Sequence, residues 1–380
     1  MRKSVTSHIC LVMLFLYSSV YRHRAREEKM LRTLRMAAIA AAATLTAAPA
    51  MAQVNLVAHA AGAGTAGGLA ATGLVEFAAE AGVANIQLKD GQTGAKYIPA
   101  LGEGKIDIAG APHHVPFLLG RAAGPFGSVG KEKGAEMAAK IQLLYPYTFS
   151  VFYMYGFSST GISSWDDLKG KKVLQGPPKG SMPRNSQALV QLAAGLKAGE
   201  DYESVTVSMN QLANALIDGT ADVAVIPGTF PGPRESQVGA AGAATAISLP
   251  KAMFESETAS KLLNNVGAAP FTAPVAEIQA ALGSNWTVVS EDDTFRGMSM
   301  VGGDYVNVDM DEEVAYQLTK AHIDNLDALM AKAPFMAALN FGKIDASVAG
   351  LCGNNPMVFH RGAVRAWEEA GYDVPDCAKP

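Results

Sequence analysis

Along this chain, short runs of β-branched and aromatic residues alternate with stretches whose apolar positions recur at helical spacing. Residues 54–58, 86–88 and 106–109 are predicted as strands. Between the first two, Ala70, Leu74, Phe77, Ala78 and Ala81 follow helical spacing while Glu76 and Glu80 fall on the other side, which predicts a helix lying on a sheet. Residues 151–157 form an extended aromatic run, 165–168 a short helix and 172–174 a strand. Leu189, Leu192, Ala193 and Leu196 mark a second amphipathic helix. Residues 298–308 read as another extended run, followed by a long helical pattern over 311–330. Strands and helices in this alternation predict an α/β fold.

One unit is written twice. Leu101-x-x-Gly104-x-x-Asp107-Ile108-Ala109 recurs as Leu216-x-x-Gly219-x-x-Asp222-Val223-Ala224, each a helix end, a glycine turn and a buried strand. About 40 residues before each copy lies a glycine-rich loop that opens a helix, at 62–68 and at 176–181. A third near-copy, Leu339-x-x-Gly342-Lys343-Ile344-Asp345-Ala346, has no such loop before it and is set aside as chance. Two lobes on one βαβαβ plan are therefore expected. The extended runs at 151–157 and 298–308 are read as strands crossing between them, so that 53–157 and 298–380 form lobe 1 and 158–297 form lobe 2.

Length agrees with this division, because 380 residues exceed what one ordinary core accommodates. The 49% hydrophobic and 17% charged residues exclude a disordered chain. Residues 30–52 read as a secretory signal peptide: basic Arg32 and Arg35, an alanine-dominated apolar stretch over 36–46, and Ala50-Met51-Ala52 before Gln53. Residues 1–29 are then an over-extension of the gene start upstream of Met30, and the exported protein begins at Gln53 in the periplasm. Residues 1–52 hold eight Lys/Arg and two acids, so the remaining 23 basic and 33 acidic residues carry −10 against −4 for the whole chain. A chain this acidic, without a basic stripe, is no nucleic-acid partner. Cys10 leaves with the leader, and Cys352 with Cys377 form an even pair in an oxidising compartment, which predicts a disulfide.

In an open α/β sheet, ligands bind beyond the carboxyl ends of the strands, where unsatisfied backbone N–H groups at helix starts favour an anion. The 62–68 loop supplies Gly64, Thr65 and Ala66, with a plain N-cap as the alternative role for Thr65. Its glycine pattern lacks a Gly-Lys-Ser/Thr ending and so is no P-loop, and Asp90 is the only acid that keeps a dinucleotide reading open. Thr93 opens the next helix, again with capping as the alternative. In the second lobe, Ser181 and Arg184 stand at a helix start, and Arg184 either clamps a carboxylate or is an exposed first-turn residue. Gly228, Thr229 and Phe230 follow the second Gly-x-x-Asp strand as a wall and lid, Phe230 packing on a ligand or on the interlobe surface. His113 and His114 follow the first such strand. No third ligand stands at useful spacing, so no metal is expected, and hydrogen bonding to a ligand or to backbone is the expected role of His113. No cofactor is expected. Neither a Gly-x-Ser-x-Gly elbow nor His-Glu-x-x-His occurs, and the chain reads as a binding protein rather than an enzyme.

With those residues in view, the chain resembles the TAXI group of solute receptors that serve TRAP (tripartite ATP-independent periplasmic) transporters. The resemblance spans nearly all of 53–374 and rests on the 62–68 loop, 101–109, Gly161-Ile162-Ser163-Ser164-Trp165-Asp166-Asp167-Leu168, the 176–185 loop, 216–233 and His360-Arg361-Gly362-Ala363-Val364. It implies a two-lobed periplasmic binding protein, type II-like, that captures a small organic acid such as glutamate or another dicarboxylate and hands it to TRAP-type permease subunits; a monomer is expected. It also implies ligand contacts at Gly64, Thr65, Ala66, Thr93, Ser181, Arg184, Gly228 and Thr229. The chain departs from the group's pattern at Leu69, at His113-His114 and at Arg361, and the first two bear on ligand identity. A ligand-binding partner of a sensor kinase, or an enzyme on the same fold, is the alternative.

Overall fold

A computed structural model describes residues 53–62, 64–178 and 181–380. The expected leader, residues 1–52, lies outside them, as do Ala63 of the first glycine loop and Lys179 and Gly180 of the second. Among the described residues, no helix is long and apolar enough to cross a membrane.

Eleven strands form one mixed sheet: β1 Val54–His59, β2 Ala84–Lys89, β3 Ile108–Pro112, β4 Ile141–Phe157, β5 Lys172–Leu174, β6 Glu203–Val205, β7 Val223–Gly228, β8 Ala244–Ile247, β9 Ala268–Pro274, β10 Trp286–Val289 and β11 Thr294–Asn307. Their order is β2-β1-β3-β11-β4-β7-β5-β6, with β8 also on β4, β10 on β8 and β9 on β11. At one end β2-β1-β3 run parallel, and at the other β6-β5-β7 repeat the same arrangement. Between them β4 and β11 run antiparallel to each other from residue 141 to 152 of one and 298 to 307 of the other. The first half of β11 pairs with β9 and the second half with β3, while the later part of β4 pairs with β7 and β8.

The core is divided in the same way. One apolar cluster draws on residues 58–147 and 305–378, and two others draw on 151–298. Two lobes thus share the long strands β4 and β11, and the fold is a two-lobed α/β architecture.

The duplicated motif has one hydrogen-bonding pattern in both lobes. Asp107 accepts the Val57 amide at 2.7 Å, and Asp222 accepts the Lys172 amide at 2.8 Å, in both cases fifty residues upstream. The same two aspartates donate their own amides back to the Val57 and Lys172 carbonyls at 2.9 Å. Gly104 and Gly219 take φ of +69° and +74°, the left-handed turn that glycine enters without a Cβ clash. The sequence around Gly342 makes a comparable turn, but Asp345 then opens the short helix Ala346–Ala349 instead of a strand.

Local patterning accounts for most elements. The helix Ala66–Glu80 buries Ala70, Leu74, Phe77 and Ala78, while Ala81 is its exposed C-cap. The helix Met182–Ala194 ends where Gly195 adopts φ +71°, so Leu196 falls beyond it. The pattern over 311–330 becomes two helices, Glu312–Asp324 and Leu326–Met330, separated at Asn325. β4 extends ten residues upstream of the expected run. Pro146 lies inside it, a residue central strands ordinarily avoid, and the β4–β11 register shifts on either side of that stretch.

Candidate functional site

Starting from the helix that opens the second lobe, Pro183 at its first turn fixes a backbone angle already suited to a helix. Ser181 is its N-cap residue, yet the Ser181 hydroxyl makes no capping hydrogen bond. One turn on, Arg184 is exposed, with no ion-pair partner among the described residues. Ser181, Arg184 and Asn185 form one wall of a cavity of about 320 Å³. The facing wall comes from the first lobe, where His114 and Phe117 lie on the helix His114–Gly120. Met298 and Met300 of the shared strand β11 and the segment around Asn265 complete it. The cavity therefore lies between the lobes and against a strand common to both.

The first glycine loop is arranged differently. The Thr65 hydroxyl donates to the Gly62 carbonyl at 2.7 Å and accepts the Gly68 amide at 3.2 Å, so it is engaged as a helix cap. Ala66 is buried, and Gly67 lies against the Phe149 ring so closely that a Cβ there would stand 2.7 Å from it. Gly64 is exposed and faces the other lobe: a Cβ on it would be 4.0 Å from Pro233. Thr93 is an exposed N-cap whose side chain makes no capping bond. None of Gly64, Thr65, Ala66, Thr93, Gly228 or Thr229 borders the cavity that Ser181 and Arg184 line.

Two residues for which a ligand contact was one of the expected roles, His113 and Phe230, are enclosed. His113 is fully buried, with Nδ1 on the Tyr305 hydroxyl and Nε2 2.8 Å from the Ala349 carbonyl. Burial lowers its pKa to about 4, which keeps the ring neutral. Its neighbour His114 is the histidine on the cavity wall, also with a pKa lowered by burial. Phe230 is fully buried in the second lobe, with ring centroids 4.9 Å from Tyr153 and 5.6 Å from Phe295, and is a packing residue. The tyrosines of the shared strands, Tyr145, Tyr147, Tyr153, Tyr155 and Tyr305, are likewise buried. His322 is fully enclosed and stacks on Tyr145 at 3.6 Å between ring centroids.

Several residues gathered here were not singled out from the sequence. Asn265 comes from the end of a helix that carries no loop signature. Met298 and Met300 stand two apart on a run already read as a strand, so their common side was available from the period of two. Beside Gly228, Arg234 and Glu235 form a buried ion pair at 3.0 Å, and Glu235 also accepts the Gly232 amide. The Gly-Pro-Arg-Glu sequence over 232–235, a helix start with proline and an early acid, was the available signal. Among the described residues no group of His, Cys, Asp or Glu is placed to hold a metal ion.

Two lobes joined through shared strands, with a cavity of mixed polar and apolar lining between them, define the class of the two-lobed solute-binding proteins. Within that class the chain belongs to the NMT1-like family, whose model matches residues 128–371. No curated protein sequence matches it. Among solved structures it is similar to the periplasmic aliphatic sulphonate binding protein SsuA from Escherichia coli, at 14% identity over 84% of this chain and 88% of that one, with a TM-score of 0.43. It is also similar to a TRAP periplasmic solute binding protein from Shewanella oneidensis with bound succinate, at 10% identity over 74% of this chain and 81% of that one, TM-score 0.39. A TRAP periplasmic solute binding protein from Ochrobactrum anthropi is 11% identical over 73% of this chain and 77% of that one, TM-score 0.42.

Proposed function

We propose that the protein is a periplasmic receptor that takes a small organic anion into the interlobe cavity and delivers it to a membrane transporter. The observation that carries this reading is Arg184, placed with Ser181 and Asn185 on one wall of a cavity whose other wall belongs to the opposite lobe. A guanidinium beside a hydroxyl that makes no capping bond at a helix start is suited to a carboxylate or a sulfonate. In the finer form of the proposal the transporter is of the TRAP type and the receptor of the TAXI group, with residues 30–52 as the export signal. Lobe 1 then comprises 53–157 and 298–380, lobe 2 comprises 158–297, and the lobes close about β4 and β11 on binding. Thr93, with its uncapped hydroxyl, and the exposed Gly64 are further donors that closure would bring toward the ligand. A receptor releases its ligand unchanged, which separates this role from that of an enzyme on the same fold.

Titration calorimetry against a panel of carboxylates and sulfonates tests the site. Replacing Arg184 by Ala is expected to weaken the best ligand by about 2 kcal/mol, roughly thirtyfold, the usual worth of a hydrogen bond to a charged group. Equal affinities of the two proteins would remove Arg184 from the site, and binding confined to neutral or cationic solutes would remove the anion reading.

A further inference from the structure

Arg184 is the only lysine or arginine among the described residues that line the interlobe cavity, and no aspartate or glutamate lines it. Desolvation holds the His114 ring below its ordinary pKa, so at neutral pH it contributes hydrogen bonds and no full charge. The rest of the wall combines the polar side chains Ser181, Asn185 and Asn265 with an apolar stretch. Met298 and Met300 stand on β11, Leu262 lies on the helix Glu257–Leu263, and Phe117 lies across from them in the other lobe. Met298 is only 1% exposed, so this apolar wall is the inner one, while the exposed Arg184 is at the mouth.

We infer that the cavity selects an organic monoanion with an apolar chain, a reading that rests on the receptor function proposed above and narrows its ligand class. The anionic group would meet Arg184, Ser181 and Asn185, and the chain would lie along the two methionines, whose unbranched thioethers adapt to varied apolar shapes. A second carboxylate carried to the inner wall would be placed against Met298 and Met300, away from Arg184, and burying an unpaired charge is costly. An α-ammonium group would find no carboxylate on the wall. At about 30 Å³ per water-sized group, a cavity of about 320 Å³ holds a ligand of on the order of ten non-hydrogen atoms.

The test is calorimetry at neutral pH with acetate, pentanoate, succinate and glutamate. Each buried methylene should improve affinity about fourfold, so pentanoate, with three more than acetate, should bind roughly sixtyfold more tightly than acetate and more tightly than succinate or glutamate. Met300→Gln should reduce the pentanoate affinity by about tenfold. Succinate or glutamate binding more tightly than pentanoate, no gain from acetate to pentanoate, or an unchanged Met300→Gln protein would each overturn the inference while leaving an anion receptor in place. If none of the four anions binds and no sulfonate of the wider panel does either, the receptor reading itself fails and takes this inference with it.

Discussion

At the scale of single residues, polar groups here divide into those whose hydrogen-bonding capacity is used within the protein and those left available. Thr65 and His113 are of the first kind, and Ser181, Thr93 and Arg184 of the second. Glu235 shows what the first kind contributes. Its carboxylate is 1% exposed, pairs with Arg234 and accepts the Gly232 amide at 3.1 Å, so it fixes the turn that follows β7. Removing one partner of a buried ion pair leaves the other charge uncompensated. Glu235→Ala is therefore expected to lower the unfolding free energy by about 3 kcal/mol, as measured by urea denaturation. A loss within about 0.5 kcal/mol, typical of a surface substitution, would show that Arg234 finds water once its partner is gone.

At the scale of elements, the C-terminal segment is fastened to the first lobe by several independent contacts. The helix Arg361–Glu369 places the Trp367 indole N–H 3.0 Å from the Leu144 carbonyl on β4, and Tyr316 of the helix Glu312–Asp324 donates to Glu369 at 2.6 Å. The Phe359 amide donates to the Ala378 carbonyl at 2.8 Å, and a disulfide joins Cys352 to Cys377 across 25 residues. A cross-link closing a loop of that length removes unfolded-state entropy worth about 3 kcal/mol in the chain-entropy model. Replacing both cysteines by alanine should lower the unfolding free energy by that amount, read as a fall in the urea midpoint equal to that energy divided by the m-value. An identical midpoint for the oxidised and the double-alanine proteins would show that the hydrogen bonds alone hold the segment.

At the scale of the whole molecule, buried titratable groups set how stability varies with pH. His59, His113, His114, His322 and His360 all have pKa values lowered first by desolvation, to about 4 for His113 and about 3 for His322. The unfolded chain binds protons at these sites near pH 6.5 and the folded chain does not, so their stabilising contribution is present above that pH and is lost on acidification. Asp304 acts in the opposite sense. Burial raises its carboxyl to about 6, although Tyr145 and Tyr147 donate to it at 2.6 and 3.0 Å. Its contribution is present below its unfolded pKa near 4 and is lost as pH rises through 6. The histidines outnumber it, so stability should rise between pH 4 and 7. Asp304→Asn should enlarge the rise by about 3 kcal/mol, the equivalent of two pKa units. Denaturant titrations of both proteins at pH 4, 5, 6 and 7 measure this, and parallel pH profiles would show that Asp304 does not titrate in that window.

Much of the architecture was legible in the sequence because it is written in short-range patterns. Alternating apolar periods announce the α/β class, and the Gly-x-x-Asp repeat announces the duplicated β-α-β unit, since a left-handed turn and an aspartate accepting a strand amide are local requirements. The parity of the cysteines pointed to the Cys352–Cys377 bond. Other features depended on partners distant in the chain. The length of β4 was hidden by Pro146 and is sustained by pairing with β11, a strand far along the chain whose Met298 pairs with Phe152 and Asn307 with Ile141. Whether a histidine faces a cavity or a core cannot be read from two adjacent identical residues. Burial and the partners Tyr305 and Ala349 assigned His113 to the core, and the helix starting at the next residue turned His114 to the wall. Asn265 meets Arg184 across one cavity only because β9 enters along the same edge of β11 that β3 leaves. Periodicity and turn chemistry act over a few residues and fix which elements form. The composition of the site is set by long-range strand pairing and by the competition of each polar group between a protein partner and an open cavity.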